Sequence, residues 1–305
     1  MDLRVPTHLV TTHLRAGEAA RSWLATLPAL VDDLLTRWAL TPEGPPRSGR
    51  AALALPVRRA DGTRAVLRLQ PPGPEPEAAL TALRLWSGRG AVRLLEHDPT
   101  TTTVLLERLD RTRTLATVED DDEAMRVIAA LLHQLTSVPA PGALPTLRDI
   151  ATEMVARTRT TATSLPDPTE QRLLLSWASA VSELLDEPGD RLLHWDLHFG
   201  NVLAGERQPW LAIDPVPLAG DPGFDLWPAL DSNWDAVQAT GALERVVRRR
   251  FDLLTETLDL DRPRAAAWTL GRVLQNCLWD VEDGRTTLAP PQLAVARAVT
   301  RGGPA

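Results

Sequence analysis

The chain has 305 residues, a formal net charge of −7 and 44% apolar residues. That length suits two domains with sizeable cores, and the acidic balance argues against nucleic acid as a partner, because phosphate backbones select basic surfaces. No membrane-spanning run of apolar residues is present, the start at Met1-Asp2-Leu3-Arg4 lacks the layout of a secretory leader, and the lone Cys277 excludes an intrachain disulfide or a cysteine-based metal site. A soluble cytoplasmic protein is expected.

In chain order, residues 18–39 predict a helix, with Trp23, Leu27, Val31, Leu34 and Trp38 recurring at helical spacing. The Pro- and Gly-rich stretch 41–49 predicts a loop. Apolar runs at 51–57 and 65–69, joined through Asp61-Gly62, predict a hairpin. A helix follows over about 77–87, then strands at 91–96 and 103–109. After Arg113 the pattern turns helical. Glu119 to Glu123 place acidic residues ahead of a helix at 125–135, where they favour the positive end of its dipole. Further helices are expected near 147–163, 170–186, 244–258 and 264–280, around a short strand-rich island at 191–215. A β-rich front and a helical back predict an α+β protein of two lobes, 1–110 and 111–305, with a cleft between them.

The segment richest in chemistry is Leu193-His194-Trp195-Asp196-Leu197-His198-Phe199-Gly200-Asn201-Val202-Leu203, followed by Trp210-Leu211-Ala212-Ile213-Asp214-Pro215. Runs 202–204 and 211–213 read as a hairpin that folds Asn201 back towards Asp214. An amide oxygen and a carboxylate are hard ligands suited to Mg²⁺. Asp196, five residues before Asn201, would project beside such a metal without binding it. Phosphoryl transfer needs that division of labour. Lysine is absent, since all 33 basic residues are arginine, so a Walker A phosphate loop is excluded.

The pattern H-x-D-x-x-x-x-N followed by I-D-P resembles the catalytic signature of the aminoglycoside phosphotransferases, relatives of the protein kinases. Segments 91–98, 105–109, 220–229 and 274–280 are similar to those of streptomycin 6-phosphotransferases and hydroxyurea kinases. The resemblance implies a protein-kinase-like two-lobe fold, ATP and Mg²⁺ as cofactors, and a small cationic substrate such as streptomycin. It makes Asp196 the catalytic base, Asn201 and Asp214 the metal ligands, and His194 a brace for the loop. Glu107 to Leu109 would be the hinge that pairs with adenine. Asp221 supports the loop. Arg68 stands where the family carries a lysine that touches the nucleotide phosphates, with Glu77 (or Glu75) as its partner. The phosphate loop would lie near Ser48-Gly49-Arg50, with a single glycine.

A polycationic substrate turns attention to His198, Asp225, Asp231, Asp235 and Asp280, with Trp227, Trp234 and Trp279 as possible faces for cation–π contact. The alternation His194, Asp196, His198 also resembles a metal-hydrolase cluster, but His8, His13, His97 and His133 add no second cluster. Cys277 reads as inert core.

Overall fold

The computed structural model describes residues 4–15, 17–49 and 51–300. Arg50, in the expected phosphate loop, lies outside the described residues. The chain divides into two compact units, Met1–Asp110 and Arg111–Ala305. No helix among the described residues is long and apolar enough to cross a membrane.

The first unit begins with helices α1 (Thr7–Arg15) and α2 (Glu18–Arg37). Strands β1 (Leu40–Pro42), β2 (Arg47–Ser48), β3 (Leu53–Arg59) and β4 (Arg64–Leu69) follow. Helix α3 (Pro74–Trp86) then leads to β5 (Leu94–His97) and β6 (Val104–Glu107). The sheet runs β1-β3-β4-β6-β5 with β2 beside β3, and every pairing is antiparallel. Burial alternates along β3 and β4, so Leu53, Leu55, Val57, Ala65, Leu67 and Leu69 share one face. Against them α2 packs Trp23, Leu27, Val31 and Leu34, residues spaced one helical turn apart. Each such Leu or Val stabilises the unit by about 1.5–3 kcal/mol on burial.

Asp61-Gly62 turns the β3–β4 hairpin. Gly62 takes φ 86°, and the Asp61 carboxylate accepts from the Thr63 N–H at 2.8 Å. The stretch 41–49, expected as a loop, instead holds β1 and β2 against the edge of β3. Proline is tolerated there because an edge strand need not donate from both sides. Helix α3 starts at Pro74, earlier than the sequence predicts, since proline is pre-set for the first helical turn.

The second unit contains β7 (Asp110–Thr114, starting at the last residue of the first unit), α4 (Asp121–Thr136), α5 (Leu147–Ala162), α6 (Pro168–Ser182) and β8 (Arg191–Leu193). Next come β9 (Val202–Ala204), β10 (Trp210–Ala212), β11 (Leu218–Gly220), α7 (Trp227–Leu230) and α8 (Trp234–Ala239). Helices α9 (Leu243–Thr257), α10 (Arg262–Glu282) and α11 (Pro290–Thr300) complete it. Asp120, Thr146, Asp167 and Asp261 cap α4, α5, α6 and α10 by accepting from backbone N–H groups of the first turn. Two small sheets, β10-β9-β7 and β11-β8, lie among these helices.

The β8–β11 pair is closed tightly at one end. Gly189 has φ 81°, and a Cβ on it would lie 2.5 Å from the Asp221 backbone nitrogen. Alanine there meets both an unfavourable backbone conformation and a clash with main chain that cannot rotate away. Gly189→Ala should therefore destabilise the second unit by at least about 2 kcal/mol. Scanning calorimetry would register this as a lowered transition, and an unchanged one would show that the 189–221 contact relaxes without cost.

Candidate active site

Strand β8 is buried at Leu192 and Leu193 and delivers the chain to residues 194–201. The turn that follows is held from below by one carboxylate. Asp225 is 0% exposed. Its Oδ2 accepts from the His194 N–H at 2.8 Å and its Oδ1 from the Trp195 N–H at 2.6 Å. Trp195 has φ 63°, a conformation that a bulky side chain adopts only when its surroundings enforce it. Burial, opposed by those two hydrogen bonds and by Arg272, pushes the Asp225 carboxyl up to about 6.

His194 is completely buried, and its Nε2 lies 3.0 Å from the Ile213 carbonyl. A carbonyl can only accept, so Nε2 carries the proton. Burial drives the imidazole down to about 4 and keeps it neutral. The Val216 N–H donates to the His194 carbonyl at 3.1 Å. His194 thus ties the loop to the far end of the β9–β10 hairpin.

Asp196 is half-buried, and its carboxyl is raised above the ordinary range by burial, opposed by His198 and Arg272. Asn201 Nδ2 donates to the Asp196 carbonyl at 2.9 Å and to its Oδ2 at 3.3 Å. That leaves the amide oxygen of Asn201 directed away from Asp196. The Ile213 N–H donates to the Asn201 carbonyl at 2.9 Å, so the hairpin sets Asn201 beside the exposed Asp214, itself at φ 54°. His198 Nδ1 accepts from the Gly200 N–H at 3.0 Å. A Cβ on Gly200 would stand 2.8 Å from the His198 ring and would push it out of its present position. The Phe199 N–H donates to Ser232 Oγ at 3.0 Å.

The other expected residues fall into distinct settings. Asp221 caps the turn 222–225, accepting from the Gly223 N–H at 2.8 Å, and pairs with Arg264 at 2.7 Å. Asp225 was expected among substrate contacts. Its complete burial and two backbone donors make it an internal brace, because neither oxygen is left for a ligand. Asp231 is half-buried at the end of α7, with Oδ1 enclosed and its carboxyl raised by burial to about 6. Asp235 is exposed on α8, and Asp280, half-buried on α10, pairs with Arg285 at 3.1 Å. Trp279 is 40% exposed, with its ring 6.5 Å from that of Trp195.

In the first unit, Arg68 lies half-buried in β4, opposite Ala54 of β3 and Val104 of β6. Glu77 is exposed in the first turn of α3. Glu107 takes the Arg93 N–H on its side chain at 2.7 Å, and Leu109 is buried.

Sequence reasoning missed Ser232 and Arg272. Arg272 had a readable signal, since it falls on the same helical face as Ala265 and Trp268, where apolar residues are expected. The loop offers a held carboxylate beside an amide oxygen and a second carboxylate. Such a set can orient a hydroxyl and hold a hard cation.

The fold is of the protein-kinase-like type. A choline kinase structure from Streptococcus pneumoniae matches with a TM-score of 0.58, covering 90% of this chain and 98% of the other at 14% identity, which speaks to the fold alone. A family model of aminoglycoside/hydroxyurea antibiotic resistance kinases matches residues 37–284. A streptomycin 6-kinase of Streptomyces glaucescens is 61% identical over 97% of each chain. A hydroxyurea phosphotransferase of Kitasatospora aureofaciens is 52% identical, over 97% of this chain and 86% of that one. The chain belongs to the aminoglycoside/hydroxyurea antibiotic resistance kinase family and is an ATP-dependent phosphotransferase acting on a hydroxyl.

His194 carries a pH signature. In the unfolded chain it titrates near 6.5, and in the folded one near 4. Between these values the unfolded state binds more protons, so stability is lost as pH falls through that window. Set against His194→Gln, which does not titrate, the wild-type advantage should be flat above pH 7. It should shrink by up to about 3 kcal/mol as pH approaches 4. Asp225 acts in the opposite sense between its unfolded value of 3.8 and about 6 and is common to both proteins. Denaturant titrations at stepped pH would test this, and a pH-independent difference would refute the neutral buried imidazole.

Proposed function

We propose that this kinase transfers the γ-phosphoryl group of ATP to the 6-hydroxyl of streptomycin and so confers resistance to it. The near-full-length likeness to a streptomycin 6-kinase carries this reading. In it, residues 1–110 form the nucleotide-binding lobe and residues 111–305 hold the catalytic loop and the substrate site, and the enzyme works in the cytoplasm, where ATP is available.

Asp196 takes the hydrogen bond of the attacking hydroxyl and accepts its proton. Its raised affinity for a proton suits that task. Asn201, through its amide oxygen, and Asp214 are the residues that would hold Mg²⁺. No cluster of three or more His, Cys, Asp or Glu among the described residues is placed to bind a metal. Two hard oxygens still fit Mg²⁺, which keeps waters and nucleotide phosphates as its remaining ligands. Bound there, the ion would neutralise charge on the phosphates. Arg68 contacts a phosphate through its guanidinium, which can present two parallel donors. Glu77 supports it, and the backbone from Glu107 to Leu109 reads adenine.

Streptomycin carries two guanidinium groups, and carboxylates receive these bidentately. Asp231, Asp235 and Asp280 are the proposed partners, with Trp279 offering a face. His198 keeps its Nε2–H for a substrate oxygen, because Nδ1 already serves the loop. Hydroxyurea is the second reading, favoured by the likeness to a hydroxyurea phosphotransferase.

Incubating the protein with ATP, Mg²⁺ and each acceptor, then locating the phosphate by NMR, separates the two. The streptomycin reading predicts a 6-phosphate and salt-sensitive substrate binding. Asp196→Asn should lower kcat by about 10²–10⁴-fold with ATP binding retained. Turnover of hydroxyurea without any of streptomycin would overturn it. At Arg68, alanine should weaken ATP binding, and a variant equal to wild type would leave that arginine as a plain surface charge.

A further inference from the structure

Helix α10 carries a cation in an apolar setting. Arg272 is 7% exposed, and burying a guanidinium is costly unless its charge and donors are met. Its side chain donates to the Gln275 side-chain oxygen, and its Nε is enclosed without a partner. The charge faces the carboxylates of Asp196 and Asp225 and a set of aromatic rings. The guanidinium carbon lies 5.2 Å from the centre of the Trp279 ring, 5.5 Å from that of Trp195, and 6.0 Å from those of Phe224 and Trp227. Desolvated cation–π contacts of this kind are the strong ones.

The Trp195 ring ends in this cage, and its backbone is the left-handed residue immediately before Asp196. A strained residue persists only where it is held at more than one point. Asp225 grips the Trp195 amide at 2.6 Å. The ring is gripped by Arg272, with Phe224 at 6.4 Å and Trp279 at 6.5 Å around it. An amide grip alone leaves the side chain free to swing and the turn free to relax to negative φ, which would redirect the Asp196 side chain.

We propose that Arg272 is a positioning residue for phosphoryl transfer, clamping the Trp195 ring and so maintaining the left-handed turn that presents Asp196. This rests on the kinase reading of Asp196. Two other roles would look different. A plain core contact would change stability without a selective loss of kcat. An electrostatic role towards Asp196 and Asp225 would be kept by lysine and would not depend on the Trp195 ring.

The test is a double-mutant cycle on the full-length protein. Arg272→Met and Arg272→Lys are made in the wild type and in Trp195→Gly, a background that accepts positive φ but has no ring to clamp. Circular dichroism and unfolding curves select folded variants, and kcat and the ATP KM are measured on whichever acceptor the wild type phosphorylates. In the wild-type background both substitutions should lower kcat at least about tenfold and leave the ATP KM within about twofold, as expected for misplacement of a reacting group. In Trp195→Gly the further loss should be under about twofold, because the two residues act as one unit. Full kcat in a folded Arg272 variant, full rescue by lysine, or equal losses in both backgrounds overturns the proposal. If the methionine variant does not fold, the lysine variant carries the same comparison. A second readout needs no acceptor. In protein labelled with 5-fluorotryptophan, the ¹⁹F resonance that disappears in Trp195→Gly should shift in Arg272→Lys, while that of Trp23 should not. An inactive wild type would defeat the streptomycin and hydroxyurea readings alone, whereas an unmoved Trp195 resonance would overturn this proposal by itself.

Discussion

The geometry of the second unit's chemistry depends on one buried carboxylate. Asp225 has no exposure and spends both oxygens on consecutive backbone N–H groups, those of His194 and Trp195. A carboxylate is costly to bury, and charge-assisted hydrogen bonds are what make such burial tolerable. The two N–H groups flank His194, and the left-handed Trp195 follows directly after them. The buried acid therefore fixes the chain at the entrance to the strained turn that leads to Asp196.

That constraint is anchored by the segment that carries Asp225. Asp221 caps the turn 222–225 and pairs with Arg264 of α10. Gly223 lies so close to the same helix that a Cβ would stand 2.8 Å from the Ala265 Cα. The Thr269 hydroxyl donates to the Gly223 carbonyl at 3.0 Å. Helix α10 thus holds the turn at three residues over its first two turns. The neutral His194 completes the frame by joining the loop to Ile213, and the Ile213 N–H in turn reaches the Asn201 carbonyl, so the loop and the β9–β10 hairpin hold one register.

Much of this was legible in the sequence because it is local. The 202–204 and 211–213 runs and the Asp61-Gly62 turn are short-range patterns, and the long helices show a period that survives burial. Asp196, Asn201 and Asp214 could be read together because a hairpin links them over few residues. What escaped was long-range. The bond between Asp225 and the His194 amide spans 31 positions, and nothing in the local sequence distinguishes a buried acid from a rim acid. Asp225 and Asp231 both follow apolar residues, yet one is sealed under the loop and the other is half-buried at a helix end. The strands within 41–49 were hidden because Pro and Gly signal a turn, whereas an edge strand needs only one side of its backbone satisfied.

The absence of lysine gains a physical meaning at the loop of residues 194–201. Arg250 is 1% exposed on α9 and donates to the carbonyls of Leu230 and Ser232, at 2.9 and 2.7 Å, while pairing with Asp121 of α4. Its guanidinium also sits 5.5 Å from the centre of the Phe199 ring. Ser232, fixed in this way, receives the Phe199 N–H. One buried guanidinium therefore braces the loop beyond Asp196, and Arg272 meets it before Asp196. Both use properties that an ammonium lacks, namely a flat face for aromatic rings and donors fanned in a plane towards several carbonyls at once. A lysine at either position would keep the charge, lose the plane, and leave carbonyls or rings without their partner. In a chain whose basic residues are all arginine, these two positions are where guanidinium chemistry, rather than positive charge alone, shapes the segment that holds Asp196.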